Sequence, residues 1–160
     1  MLEFKRYNPS HFHGDGSLKV SALLWLIVLY LSRHLLVLMV GGLSTFMGSR
    51  SGLDTSGLSI LYSSPAFLPA SLPALVVLVA RLRRVAGAGS FVRWVWRGGR
   101  YWLIAAALID LTTLAVHWTL GWLETTQMQV AGAFVDAYIM VYLVRSRRAR
   151  DLFRDFPTAQ

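Results

Sequence analysis

The chain alternates long apolar runs with short polar segments, and this alternation predicts its helices. The apolar runs cover residues 18–43, 58–80, 101–122 and 128–144. The segments around them are residues 1–17, 44–57, 81–100, 123–127 and 145–160. A helix needs roughly 20 apolar residues to cross a bilayer. The pattern predicts an all-α integral membrane protein, a single domain with four transmembrane helices in an antiparallel bundle.

Prolines mark the second apolar run. Pro65, Pro69 and Pro73 recur at intervals of four and would share one face of a helix. Proline inside a helix removes a backbone hydrogen bond and clashes with the preceding turn. Membrane helices tolerate this where neighbouring groups satisfy the freed carbonyls. We therefore expect a second helix that is short, late-starting or kinked.

Composition agrees with a membrane protein and leaves little room for catalysis. The 160 residues are 55% hydrophobic, whereas soluble domains are nearer 45–50%. The absence of cysteine excludes disulfides, thiolate chemistry and cysteine metal sites. The chain also contains none of the nucleophile-elbow, zinc-protease or phosphate-loop motifs. We expect a protein that is not an enzyme and that has no metal site.

The distribution of positive charge predicts topology. The formal net charge is +8, and all but two of the 16 lysines and arginines lie at the N-terminal end, in residues 81–100 or in the C-terminal tail. Short basic loops stay in the cytoplasm. Four crossings place all three basic segments on one side, so both termini are expected to be cytoplasmic. The charge therefore indicates orientation in the membrane and not a nucleic-acid partner.

Aromatic residues are interleaved with arginines beside the apolar runs. This composition is typical of an interfacial belt that contacts anionic lipid headgroups. The predicted membrane-surface anchors are Arg81, Arg83, Arg84, Arg93, Trp94, Trp96, Arg97, Arg100, Arg145, Arg147 and Arg148.

Three charged residues lie well inside the apolar runs, away from their ends: Arg33, Asp110 and Asp136. Asp110 is ten residues from Arg100, and Asp136 is nine from Arg145. At about 1.5 Å of rise per residue, both aspartates reach the bilayer midplane, and the long Arg33 side chain can reach the same depth. Charged residues in a membrane are costly and suggest function. The sequence predicts an intramembrane cluster of these three residues, with a formal charge of −1.

Small and polar residues form stripes on the last two predicted helices. The stripes are Ala106, Asp110, Thr113, His117, Gly121 and Glu124, and Gln129, Gly132, Ala133 and Asp136. Small residues allow membrane helices to approach closely, and polar ones bond across the interface. We expect these two helices to pack through the stripes, against the first helix.

Two histidines, His34 and His117, are predicted at similar depths toward the outer leaflet. They would either form hydrogen bonds between helices or serve as the two axial ligands of a b-type haem. No other cofactor is indicated.

Three stretches of the chain resemble a known family: HGDGSLKVSALLWLIVLYLSR, FLPASLPALVVLVA and VDAYIMVYLVRSRRARDLF. Together they are similar to the YfeZ-like family of small bacterial inner-membrane proteins. The resemblance implies a bacterial, proteobacterial-type protein of the inner membrane with this number of helices. It implies no activity and no catalytic residues.

These observations favour an interaction protein. The chain offers almost no soluble mass for chemistry, so we expect an accessory or scaffold subunit that binds another integral membrane protein or a second copy of itself. The alternatives are a small transporter or channel-like oligomer that uses the aspartates and Arg33, and a haem-binding electron carrier.

Overall fold

The computed structural model describes residues 18–46, 65–85, 87–121 and 127–157, and in these ranges the chain is all-helical, without a strand. The helices are α1 (Ala22–Leu31), α2 (Arg33–Phe46), α3 (Leu68–Leu82), α4 (Ser90–Thr119), α5 (Gln127–Arg145) and α6 (Arg147–Arg154), with a 3₁₀ turn (Pro65–Phe67) before α3. The predicted lead at 1–17, most of the loop at 44–57 and most of the turn at 123–127 lie outside the described residues.

Two of the described helices, α4 and α5, are long and apolar enough to cross a membrane. The pair α1 and α2 would be a third crossing if it counts as one span, although the two helices meet at a bend of 65°. Helix α3 is apolar but has only 15 residues. The fold therefore shows two or three potential crossings where the sequence predicted four, and residues 58–64 of the second run are not described.

The predicted first crossing is divided at Ser32. Helix α1 begins at the cap Ser21, whose hydroxyl accepts a hydrogen bond from the Leu24 amide, and it ends at Leu31. Ser32 is fully buried. Because lipid cannot satisfy a broken backbone, such a break is tolerated only where protein surrounds it or where it lines a polar cavity.

Helix α3 begins at Leu68, after the 3₁₀ turn. Pro69 falls in its first turn, where the missing amide costs nothing. Pro73 lies inside the helix. The buried positions are small or short side chains, and they pack mainly on α4: Ala70, Ser71, Ala74, Val77 and Ala80.

Helix α4 begins eleven residues before the predicted boundary at Tyr101. Its 30 residues correspond to about 45 Å, longer than a bilayer core. Residues 90–100, predicted as part of a loop, thus form a helical extension. At the other end, Gly121 has a positive φ of 66° and follows the last turn, the usual place for a glycine after a helix.

The basic tail, predicted as a cytoplasmic segment, forms the short helix α6. Ser146 caps it by accepting a hydrogen bond from the Ala149 amide. Ala149, Leu152 and Phe153 are buried, and α6 packs on α4. A Cβ at Gly99 would overlap the Phe153 ring, so α4 carries glycine where α6 approaches.

Two predicted surface anchors, Arg84 and Trp96, lie instead in the interior. Trp96 Nε1 donates to the carbonyls of Leu152 (3.2 Å) and Asp155 (3.0 Å). Arg84 donates to the Asp155 carbonyl at 3.1 Å, and its guanidinium lies 4.7 Å from the Trp96 ring.

The N-terminal end joins the same network, because the Leu18 amide donates to Asp155 Oδ2 at 2.7 Å. We call this network (Leu18, Arg84, Trp96, Phe153 and Asp155) the C-terminal cap. Arg84 and Trp96 are buried because the carbonyls at the end of α6 accept their hydrogen bonds inside the protein.

Candidate functional site

The break between α1 and α2 brings Arg33 against Asp110 of α4. Arg33 Nη2 lies 2.5 Å from Asp110 Oδ2, and the Asp110 side chain is almost entirely buried. Arg33 Nη1 also donates to the Tyr30 carbonyl at 3.1 Å. Its guanidinium carbon lies 4.0 Å from the centre of the Tyr30 ring. The cation is therefore held by a carboxylate, a carbonyl and an aromatic face.

The two helix ends at the break complement these charges. Arg33 covers a carbonyl at the C-terminal end of α1, where the helix dipole favours a cation. Asp110 contacts the first residues of α2, where the dipole favours an anion. His34 Nε2 lies 3.5 Å from Asp110 Oδ1, too far and too poorly aligned for a strong hydrogen bond. The ion pair thus lies where the two helix ends favour its charges.

The structure places Asp136 of α5 in the same region. Its carboxylate is buried, and Oδ1 has no hydrogen-bond partner within the described residues. One turn earlier, the Gly132 carbonyl accepts a hydrogen bond from the Tyr30 hydroxyl at 3.3 Å. This bond connects α1 to α5 beside the carboxylate.

These groups line a cleft of about 800 Å³ between the break, α4 and α5. We call it the polar cleft. Its lining consists of Tyr30, Arg33, His34, Phe67, Asp110, Leu114, Gln127, Met128, Gln129, Ala131, Gly132, Val135 and Asp136. Helix α5 packs mainly on α4, and most of its apolar length is exposed. Its lining residues Met128, Ala131 and Val135 on α5 are exposed, so the polar cleft is open at the side of α5.

The two histidines are held apart by an aromatic ring. His34 stacks on Phe67 with ring centroids 5.4 Å apart, and Phe67 stacks on His117 at 5.5 Å. His117 Nδ1 is also 2.7 Å from the Thr113 carbonyl. Two axial ligands must face one iron from opposite sides. Because the Phe67 ring fills the space between the imidazoles, the histidines do not fit a shared haem.

The polar cleft does not resemble a metal centre. In the parts of the chain that the structure describes, no three His, Asp or Glu side chains converge as metal ligands. The arrangement instead suits a partner that offers hydrogen-bond donors or a positive charge to a buried carboxylate.

The remaining predicted anchors lie at or near the surface. Trp94 is 61% exposed. The exposed arginines are Arg83, Arg93, Arg97, Arg145 and Arg147, and the partly exposed ones are Arg81, Arg100 and Arg148.

Sequence reasoning did not identify Tyr30 or Phe67 as parts of the site. A weak signal existed for Tyr30, which precedes Arg33 by three residues and would share its face on a continuous helix. Phe67 carried no such signal, because an apolar ring is recognised only through its neighbours. Gly132 was expected in the small-and-polar stripe with Asp136, but the role of its carbonyl was not.

The fold and the polar cleft define a helical protein with two or three helices suited to crossing a membrane. The chain belongs to the family described as "Protein of unknown function (DUF2919)", whose model matches residues 7–155. This match includes both the polar cleft and the C-terminal cap. It does not by itself link the chain to the YfeZ-like proteins that the sequence resembles. No curated protein and no solved structure matches the chain.

Proposed function

We propose that this chain is a non-enzymatic accessory or scaffold subunit that binds another integral membrane protein through the polar cleft. In this account it spans a bacterial inner membrane four times with both termini in the cytoplasm. The resemblance to YfeZ-like proteins supports the bacterial inner membrane as its location.

The topology rests on charge and length. Arginines are concentrated in residues 81–100 and in the tail, and such segments remain cytoplasmic. Helix α3 follows the 3₁₀ turn. In this account residues 58–64, which precede the turn, belong to the same membrane crossing as α3. The exposed arginines would contact anionic headgroups on the cytoplasmic side.

The observation that carries the proposal is the position of the polar cleft. It contains an ion pair and a buried carboxylate, yet it opens beside α5, a helix with most of its surface exposed. Polar groups that face hydrocarbon cost several kcal/mol each. A second membrane protein seated in the opening would remove that cost, so the opening is suited to a docking site.

A pair of alanine-to-tryptophan variants tests docking. Ala131 lines the polar cleft, whereas the exposed Ala137 on the same helix does not. Tagged protein is purified from its native host in mild detergent, and its stoichiometric partner is identified by mass spectrometry. Wild type and the Ala137→Trp variant should each co-purify with the same membrane protein, and the Ala131→Trp variant should lose it. Retention of that protein by Ala131→Trp, or a wild-type protein without a partner, would contradict docking in the cleft.

A second candidate function is transport, and the break at Ser32 favours it. Discontinuous helices with charged residues at midplane depth are a common feature of transporter sites. In that case proteoliposomes containing the purified chain would show solute or proton flux. Asp136→Asn would abolish the flux without preventing folding. If the chain shows no flux of protons or common ions, and its partner is lost when the cleft is blocked, the accessory role is favoured over transport.

A further inference from the structure

We infer that the polar cleft receives a transmembrane helix carrying a lysine or arginine, and that Asp136 is the ion-pair acceptor for this side chain. This inference rests on the proposed function and names the chemistry of the partner.

The charges in the polar cleft do not balance. Counted as ions, Arg33 contributes one positive charge, and Asp110 and Asp136 contribute two negative charges. The Arg33 guanidinium is already engaged by Asp110 and by the Tyr30 carbonyl. Asp136 remains with an unpartnered oxygen within the described residues, although its side chain is buried. A buried carboxyl group stays ionised only beside a counter-charge, and otherwise it takes up a proton. The occupant that pairs with Asp136 as an ion is therefore a cation.

A second copy of this chain is a poor source for that cation. Among the described residues of α1–α5 that would lie in the membrane, the basic residue is Arg33. Its side chain is already paired with Asp110. A metal ion is also disfavoured, because no three suitable ligands converge among the described residues. A different membrane protein with a basic residue in its helix supplies what the cleft lacks.

The shape of the lining indicates a helix. Met128, Ala131 and Val135 follow one another at three- and four-residue steps on α5, and all three line the cleft. Such a row forms one face of a helix and packs against the face of another. The volume of about 800 Å³ falls in the range of protein binding pockets. Met128 is a flexible side chain that adapts to a partner.

Photo-crosslinking in native membranes tests the inference. A photoreactive residue is placed at Val135, which lines the cleft and is exposed, or at Val141, which is exposed on α5 but does not line it. The expected adduct at Val135 is a peptide from a transmembrane helix of another protein, with a lysine or arginine within it. The Val141 control should lack this adduct.

Charge variants then test the role of Asp136. Asp136→Asn keeps the shape of the side chain but removes its charge, and it should lower the yield of the Val135 adduct at least tenfold. Asp136→Glu should retain part of the yield. Neutralising the basic residue of the partner should cause the same loss, with little added effect in the Asp136→Asn background. Thermal unfolding in detergent should show that Asp136→Asn still folds.

Several results would overturn the inference. An adduct from this chain itself, or one without a basic residue, would exclude the proposed occupant. An unchanged yield with Asp136→Asn would show that no charged pair at this carboxyl holds the partner, because asparagine keeps the shape of the side chain without its charge. If Ala131→Trp loses the partner while Asp136→Asn keeps it, the partner docks in the cleft but does not form the proposed ion pair with Asp136. If neither variant affects the partner, the proposed function fails as well.

Discussion

Arg33 and Asp110 connect the break between α1 and α2 to α4 through a contact of 2.5 Å. The same guanidinium donates to the Tyr30 carbonyl at the end of α1. One side chain therefore neutralises a buried carboxylate and donates to a backbone carbonyl. Both contacts lie at the bend of 65° between α1 and α2.

Removal of one member of this pair should be far more harmful than removal of both. Arg33→Met leaves Asp110 as a buried, uncompensated charge, which costs about 3–5 kcal/mol of stability. The double variant Arg33→Met/Asp110→Leu should regain most of that loss, because neither charge remains. Thermal unfolding of wild type, Arg33→Met, Asp110→Leu and the double variant in one detergent gives the coupling energy. Additive effects of the two substitutions would show that the pair is not coupled.

Docking of α6 should depend on Trp96. Trp96→Phe keeps the ring in the C-terminal cap but loses the donor to the Leu152 and Asp155 carbonyls. Loss of a hydrogen bond worth about 1 kcal/mol raises the fraction of molecules with α6 undocked roughly fivefold. Trypsin should then cleave after the arginines of α6 about fivefold faster. The exposed Trp94 on the same helix is the control, and Trp94→Phe should leave the cleavage rate unchanged.

Two adjacent glycines of α4 should respond differently to alanine. Alanine gains up to about 1 kcal/mol of helix propensity over glycine at either position. A Cβ at Gly99 would overlap the Phe153 ring, whereas at Gly98 it would meet Trp102 Nε1 at 3.2 Å, on a side chain that can move.

Gly98→Ala should therefore be neutral or slightly stabilising, and Gly99→Ala should lower stability by about 1–3 kcal/mol through overpacking. The melting temperatures of both variants in detergent check this order. Equal shifts would mean that α6 does not pack where the structure places it.

Two adjacent arginines give a similar comparison. Arg84 is buried and bonds to Asp155, whereas Arg83 is exposed. Arg84→Gln should lower stability by about 3 kcal/mol, because Asp155 loses its buried counter-charge. Arg83→Gln should change it by less than about 0.5 kcal/mol. Thermal unfolding in detergent compares them, and a larger effect of Arg83→Gln would contradict the C-terminal cap.

The sequence located the charged residues of the polar cleft because depth follows from helical rise. Asp110 and Asp136 lie at similar distances from basic ends, and the structure places both on the polar cleft. The break at Ser32 was not predicted. Sharp bends are usually marked by proline or glycine, and neither is present at residues 31–34. The contact that Arg33 makes at the bend is with Asp110, which is 77 residues away.

The C-terminal cap was missed for a different reason. Arginine and tryptophan in residues 81–100 have the composition of an interfacial belt whether they face lipid or protein. Arg84 and Trp96 differ from their exposed neighbours only through the carbonyls at the end of α6. A local signal for α6 did exist, since Ala149, Leu152 and Phe153 recur at helical spacing among arginines.

The whole account requires that α1 and α2 together cross the membrane, so that the polar cleft lies within it. Because the chain has no cysteine, single cysteines can be introduced without background. The substitutions are Ser10→Cys, Ser51→Cys, Ala88→Cys, Thr125→Cys and Thr158→Cys.

The measurement is labelling of intact spheroplasts with a membrane-impermeant maleimide. The account predicts labelling at positions 51 and 125 from outside, and at positions 10, 88 and 158 only after permeabilisation. If position 51 instead labels on the same side as position 10, α1 and α2 form a re-entrant loop, and the proposed four-crossing topology is contradicted.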